Sequence, residues 1–157
     1  MLGRLFPKQM DNTYRGHWLG MWLFVPIVLL ELVIGTNSII NTRSVAMGAD
    51  GIPLDSFSDA ATREVIVEFA LLGLWRVLFG LLGVVALIRY RAMIPLVYLL
   101  LLIQQIGGRA ILMTHPTGAG TTQTGSIVVL VLLGLTLAGF VLSLLGRTGA
   151  VTGNNQA

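Results

Sequence analysis

The chain has 157 residues, of which 55% are hydrophobic and only 11% are charged, against about 25% charged residues in an average soluble domain. Its net charge of +3 comes from basic residues scattered singly between long apolar stretches, which excludes a concentrated basic surface for nucleic acid. The absence of cysteine excludes disulfides, thiol redox chemistry and thiolate metal ligands. The composition therefore predicts a single membrane domain that comprises residues 1–157.

Four apolar stretches are long enough to cross the hydrocarbon core, which requires about 20 residues of α-helix. The predicted spans cover residues 18–36, 65–88, 93–113 and 127–145. We interpret the first as an uncleaved span, because Glu31 interrupts it and no signal-peptidase site follows closely. The sequence thus predicts an all-α membrane protein, an antiparallel bundle of four transmembrane helices.

The connections between the predicted spans differ in kind. Residues 37–64 form a long outer loop, in which Ser58 or Asp59 is a candidate N-cap for the second helix. Residues 89–92 are short enough to make spans two and three an antiparallel hairpin. The second outer loop, residues 114–126, is rich in glycine and threonine and is predicted to be irregular.

The placement of basic residues predicts the orientation of the chain, because cytoplasmic loops carry an excess of lysine and arginine. Six basic residues flank the spans on one side and two on the other. This asymmetry predicts a protein of a bacterial-type inner or plasma membrane with both termini in the cytoplasm. The six are Arg4, Lys8, Arg15, Arg89, Arg91 and Arg147, and the two are Arg43 and Arg63.

Small residues recur along spans two and four, where they allow helix backbones to approach closely. We interpret them as general membrane packing, and the alternative is an interface between two copies of the chain. They are Gly73, Gly80, Gly83 and Ala86 on span two, and Gly134, Ala138, Gly139 and Ser143 on span four.

Six polar residues inside the predicted spans form the candidate site. An ionisable side chain in hydrocarbon costs about 2.5 kcal/mol or more, so each of the four must face the bundle interior, pair or reach the interface. At a rise of 1.5 Å per residue all four fall in the outer half of the membrane, from close to the midplane to about 12 Å beyond it. The six residues are Glu31, Glu68, Arg76, Gln104, Gln105 and Arg109.

The neutral arrangement of these charges pairs Arg76 with Glu31 and Arg109 with Glu68. The glutamine amides would then take the remaining hydrogen bonds, since a half-satisfied buried network is unfavourable. One interpretation is a purely structural network that fixes helix register. The other is a polar cavity open to the outer side that binds a lipid headgroup, a small anion or a proton.

The sequence predicts no metal site, no cofactor and no catalytic residues. His17 and His115 fall on opposite sides of the membrane, and there is no cysteine to complete a ligand set. His17 is interpreted as an interfacial anchor and His115 as a solvated loop residue. No nucleophile elbow, phosphate loop, dinucleotide motif or zinc-protease helix occurs.

The arginine followed by glycines in span two (Arg76, Gly80, Gly83) and the Gly107-Gly108-Arg109 run in span three resemble the DoxX-like group of small four-helix membrane proteins. The long outer loop after span one and the short cytoplasmic turn add to the likeness. The resemblance implies a fold rather than a reaction. Some relatives are tied to thiol or quinone redox work, but a chain without cysteine lacks the thiol.

Two functions remain open at this point. The first is a membrane protein without catalytic activity, an accessory or scaffolding subunit whose partners are membrane lipids and other membrane proteins or a second copy. It predicts small-residue stripes that face outward and a closed polar network. The alternative is a binding or transport module for an anionic, lipid or quinone-like ligand. It predicts an open cavity at the arginines and an unpaired positive charge.

Overall fold

The computed structural model describes residues 5–7, 11–114 and 123–145, and this part of the chain is helical without β-strands. Four of its helices are long and apolar enough to cross a membrane, the number predicted from the sequence. A fifth, shorter helix lies between the first two of these. The helices are α1 (Trp18–Ile40), α2 (Thr42–Gly48), α3 (Asp59–Ile88), α4 (Ile94–Thr114) and α5 (Gln123–Leu144).

Helix α3 begins six residues before the predicted span. The Ser58 Oγ atom accepts a hydrogen bond from the Ala61 backbone N–H at 3.3 Å, so Ser58 is the N-cap. Asp59 follows in the first turn, where a negative charge complements the helix dipole. With 30 residues the helix is about 45 Å long, against about 30 Å of hydrocarbon, so its polar first turns extend beyond the apolar core.

The segment between α1 and α3, predicted as a loop, is largely ordered into helix and turn. The Thr42 Oγ1 atom donates to the Ser38 carbonyl at 2.8 Å at the start of α2. Gly51, with φ of 65°, reverses the chain after α2, and the Ile52 N–H then donates to the Ala46 carbonyl at 3.0 Å. A 3-10 turn at Leu54–Ser56 buries Leu54. Ala46 and Leu54 of this segment are therefore buried, which its turn-forming residues alone did not indicate.

Glycines bring α1 and α3 into close contact. A Cβ atom on Gly73 would lie 2.7 Å from the Gly35 carbonyl oxygen, and one on Gly35 would lie 2.8 Å from the Gly73 oxygen. Further along, Gly80 packs against Leu32 and Gly83 against Val28. The paired positions run in opposite order along the two helices, so the small residues of α3 serve contacts within the chain.

The small residues of α5 divide into two groups. Gly139 packs under the Tyr98 ring, and Ser143 is fully buried. Gly134 and Ala138, in contrast, are exposed on the opposite side of the helix, and a Cβ atom on Gly134 would meet no atom within 4 Å. The packing interpretation is therefore confirmed for Gly139 and Ser143, whereas none of the described residues covers Gly134.

An aromatic pair joins α4 to α1 in the core. The Phe24 and Tyr98 rings meet edge to face with centroids 4.8 Å apart, and both side chains are fully buried. The Tyr98 Oη atom donates to the Gly20 carbonyl at 2.8 Å. This bond satisfies a buried hydroxyl in surroundings where water is excluded.

We expect Tyr98→Phe to lower the free energy of unfolding by about 1 kcal/mol, because a buried hydrogen bond is lost and the Gly20 carbonyl stays buried. Tyr14→Phe is the matched control. The Tyr14 Oη atom is also buried but has no hydrogen-bond partner, and burial raises the pKa of Tyr14 to about 12. Removal of the Tyr14 hydroxyl should leave the free energy of unfolding unchanged or raise it. The measurement is a denaturant titration in micelles. Equal losses in the two variants would contradict this account.

One end of the bundle gathers three parts of the chain. The Ala92 N–H donates to the Asp11 carbonyl at 3.3 Å, and the His17 N–H donates to the Leu142 carbonyl at 3.0 Å. His17 is the N-cap of α1, and its Nδ1 atom accepts from the Leu19 N–H at 3.3 Å. The segment before α1, the α3–α4 connection and the C-terminal end of α5 thus lie together. Arg4, Lys8, His115 and Arg147 lie outside the described residues.

Candidate functional site

An ion pair joins α1 to α3 inside the apolar part of the bundle. The Arg76 Nη1 atom lies 3.2 Å from the Glu31 Oε2 atom, as the depth of these residues in the sequence predicts. Glu31 is completely buried, whereas the Arg76 side chain is 28% exposed. A Cβ atom on Gly35 would lie 2.9 Å from the Arg76 Cβ. The glycine at position 35 therefore leaves the room in which the arginine stem passes α1.

The glutamine predicted to complete this network bonds elsewhere. The Gln105 Nε2 atom donates to the Thr136 Oγ1 atom of α5 at 3.2 Å, and Thr136 in turn donates to the Leu132 carbonyl at 2.7 Å. Gln105 is buried, and its Oε1 atom has no hydrogen-bond partner. The Glu31 Oε1 atom is likewise buried and unpartnered. With the Gln104 Oε1 atom, three acceptor oxygens of the predicted network are thus unsatisfied.

The predicted pairing of Glu68 with Arg109 is wrong. Neither residue forms an ion pair within the described residues, and Glu68 is exposed. Glu68 lies five residues before Gly73, which at 100° per residue places it about 140° around α3 from the face that packs on α1. Glu68 and Arg109 have similar depths along their helices, but Glu68 points away from the face of α3 that packs on α1.

Arg109 lies in the C-terminal third of α4, where most residues are exposed. Its Nε atom and the Gln104 Oε1 atom are buried without a hydrogen-bond partner. Around it, Ile106, Gly108 and the residues from 110 to 114 are exposed, and a Cβ atom on Gly107 or Gly108 would meet nothing within 4 Å. Among the described residues, those of α4 around Arg109 are therefore mostly exposed.

A second carboxylate, which the sequence reasoning missed, interacts electrostatically with Arg76. Asp50 is half-buried in the turn after α2. Burial raises the pKa of Asp50 above its ordinary value, and the charge of Arg76 partly opposes this rise. The Asp50-Gly51 dipeptide is a recognisable turn signal, but no pattern in the sequence indicates an electrostatic interaction of this turn with Arg76.

The pKa shift of Asp50 sets the sign of a pH effect. Because the pKa is higher in the folded protein, the folded state binds a proton more tightly, and the stability present below pH 3.8 is lost as the pH rises through the folded-state pKa. Asp50→Asn should remove this loss. At pH values above the folded-state pKa of Asp50, the variant should be as stable as the wild type or more stable.

Melting temperatures of both proteins in detergent, measured from pH 4 to pH 8, check this expectation. Asp55→Asn is the control, because Asp55 is exposed and pairs with Arg43 on the surface at 2.6 Å. Surface pairs contribute little to stability. If rising pH stabilised the wild type more than Asp50→Asn, the assigned sign of the pH effect on stability would be wrong.

Two concave regions in the described part of the chain contain neither Arg76 nor Arg109. One, of about 10 Å³, lies beside Tyr14, Arg91 and Ser143 and has room for about one water molecule. The other is a shallow depression of about 350 Å³ along the first turns of α3, lined by Arg63, Glu64, Val67 and Glu68. Of the six predicted site residues, this depression includes Glu68 alone.

Comparison of the chain with protein-family models, with characterised proteins and with solved structures found no match. The function is therefore argued from the arrangement of the residues themselves.

Proposed function

We propose that this chain is a membrane subunit without catalytic activity that packs against a transmembrane helix of another membrane protein along the exposed side of α5. In this proposal the four long helices form an antiparallel bundle, and the architecture is that of the DoxX-like proteins. The buried Glu31–Arg76 pair holds α1 and α3 in register within the subunit.

The observation that carries this proposal is the exposure of Gly134 and Ala138. Four residues apart, they lie about 40° from each other around α5 and form a small-x-x-x-small step of the kind that brings membrane helices together. The other small residues of α3 and α5 that we describe are covered by the chain's own helices. Exposed apolar residues, among them Val131 and Val141, flank the step and would surround a partner helix.

The proposed orientation places the termini in the cytoplasm of a bacterial-type inner or plasma membrane. Its support is the excess of basic residues at one end, where the α3–α4 connection carries Arg89 and Arg91 and the segment before α1 carries Arg15. The segment between α1 and α3, with Asp50 and Asp55, would then face the outer side.

The absence of cysteine allows a clean test with single-cysteine variants labelled by a photo-crosslinker in native membranes. Ala138→Cys should give one discrete adduct with an integral membrane protein, and adding Gly134→Leu should abolish it. Val128→Cys is the control, since Val128 is exposed on α5 but lies about 120° from Gly134. An adduct of twice 16.9 kDa would identify the partner as a second copy. No adduct from position 138, or equal adducts from both positions, would contradict the proposal.

A second candidate function, the binding of an anionic, lipid or quinone-like ligand, is favoured by Arg109. This arginine has no carboxylate partner in the described residues, and its Nε donor is buried and unpartnered. Binding of phosphatidylglycerol, measured by native mass spectrometry, should then be weaker in Arg109→Gln and unchanged in Arg63→Gln. Equal binding by both variants would remove this candidate.

A further inference from the structure

We propose that the small cavity lined by Tyr14, Arg15 and Arg91 binds the phosphate group of an anionic phospholipid. One phosphate oxygen would enter the cavity, and the two guanidinium groups would hold the rest of the phosphate at its mouth. This inference depends neither on the proposed partner contact at α5 nor on ligand binding at Arg109.

The cavity lies where the segment before α1, the α3–α4 connection and the C-terminal end of α5 meet. Backbone hydrogen bonds of 3.3 Å and 3.0 Å hold these three parts together. The two arginines in its lining are exposed, so they stand at the mouth. The floor consists of buried lining residues, which are Gly16, Ala92, Pro95 and Ser143.

The Tyr14 hydroxyl is a hydrogen-bond donor that no described residue uses. Tyr14 lines the cavity, and its Oη atom is buried without a hydrogen-bond partner. Two glycines give this hydroxyl its place, since a Cβ atom on Gly16 would lie 2.5 Å from Oη and one on Gly20 would lie 2.6 Å from it. With about 10 Å³ the cavity has room for about one water-sized group, and a phosphate oxygen is of that size. An anionic oxygen there would accept a strong hydrogen bond from Tyr14.

The charge around the cavity favours an anion. Arg15 pairs with Asp11 at 3.0 Å, which makes that pair neutral. Arg91 forms no ion pair with the described residues, and its Nε atom donates to the Leu87 carbonyl at 3.0 Å, which leaves its two Nη groups for a ligand. Helices α1 and α4 begin at this end and α3 and α5 end there, so the helix dipoles largely offset one another. The positive charge of Arg91 therefore remains, and it matches the single negative charge of a phosphodiester.

The position of the cavity favours a lipid over a free anion. Gly16 precedes α1 by two residues, and Pro95 lies in the first turn of α4. The cavity is therefore at the level where two apolar helices leave the hydrocarbon, which is the level of the lipid headgroups. Trp18 and Phe6 are exposed nearby along the chain, as aromatic residues of the membrane interface are. Basic pockets between transmembrane helices bind anionic headgroups at this depth.

Native mass spectrometry of the full chain in detergent, titrated with phosphatidylglycerol, tests the site. Tyr14→Phe should weaken binding of the lipid about tenfold, because a hydrogen bond to a charged group is lost. Arg91→Gln should weaken it about fivefold through the loss of one positive charge. Arg89→Gln is the matched control and should keep the wild-type affinity, since Arg89 is exposed in the same connection but does not line the cavity. Tyr14→Phe is expected to fold as the wild type does, so its loss of binding reports on the site.

Phosphatidylcholine, whose phosphate is balanced by its own cation, should bind more weakly than phosphatidylglycerol, and an excess of inorganic phosphate should not displace the bound lipid. Displacement would assign the cavity to free phosphate and overturn the lipid as its ligand. Unchanged binding in Tyr14→Phe, equal losses in Arg89→Gln and Arg91→Gln, or equal binding of the two lipids would overturn the proposal. Gly134→Leu should leave the affinity unchanged, and a lipid held at Arg109 would be counted as a second bound molecule, so this test is separate from those of the proposed functions.

Discussion

Gly73→Ala should lower the free energy of unfolding by up to about 3 kcal/mol, the upper end of the range for overpacking a well-packed interior. The added Cβ atom would lie 2.7 Å from the backbone oxygen of Gly35 and 2.9 Å from the Ser38 Cβ. Neither neighbour is the end of a flexible side chain, so relief requires α1 and α3 to separate. The separation would also lengthen the Glu31–Arg76 contact, which lies one turn away.

Gly134→Ala is the matched control for this prediction, because it makes the same chemical change in a helix where the added atom meets nothing within 4 Å. It should leave the free energy of unfolding unchanged or raise it by up to about 1 kcal/mol through the higher helix propensity of alanine. Both values can be measured by titration with sodium dodecyl sulfate from mixed micelles. Similar effects at the two positions would show that α1 and α3 are not in close contact through glycine.

Arg76→Gln should destabilise the protein by about 3 kcal/mol, as expected when one member of a buried ion pair is removed. Glu31 would be left completely buried without its cation. Glu31→Gln should cost less, because the Arg76 side chain is 28% exposed and its charge can be hydrated. The loss in Arg76→Gln should shrink on acidification, since a protonated carboxyl needs no positive partner.

Arg109→Gln provides the comparison for Arg76→Gln, as it removes an arginine of α4 that has no carboxylate partner in the described residues. Its effect on the free energy of unfolding should be small, and it should not depend on pH between pH 5 and pH 8. A loss as large as that in Arg76→Gln would mean that any arginine inside the bundle is equally necessary. The Glu31–Arg76 pair would then have no special role in stability.

The features that depend on position along a helix could be predicted from the sequence. The number of spans follows from the length of the apolar stretches, and four long apolar helices are found. The contact between Glu31 and Arg76 follows from their similar depth. Ser58 was a candidate N-cap because its hydroxyl precedes the helix, and it is the cap. Each of these features follows from the distance between residues along the chain.

Features that depend on the rotation of a helix, or on the path of a turn, were not predictable in the same way. Glu68 matches Arg109 in depth, yet it lies on the exposed side of α3. Gln105 bonds to Thr136 rather than to the charged pair, because α5 packs beside this face of α4. The electrostatic interaction of Asp50 with Arg76 depends on the path of the chain through α2 and the reversal at Gly51. The packing partners had to be known before these three contacts could be assigned.

The double-mutant cycle between Glu31→Gln and Arg76→Gln tests the central claim most directly, since the pair at 3.2 Å joins α1 to α3. The free energies of unfolding of the wild type, both single variants and the double variant are measured under one set of conditions. Residues in contact show coupling energies of about 0.5–3 kcal/mol, and we predict a value above about 1 kcal/mol for this buried pair. Additive effects, with a coupling energy near zero, would contradict the account.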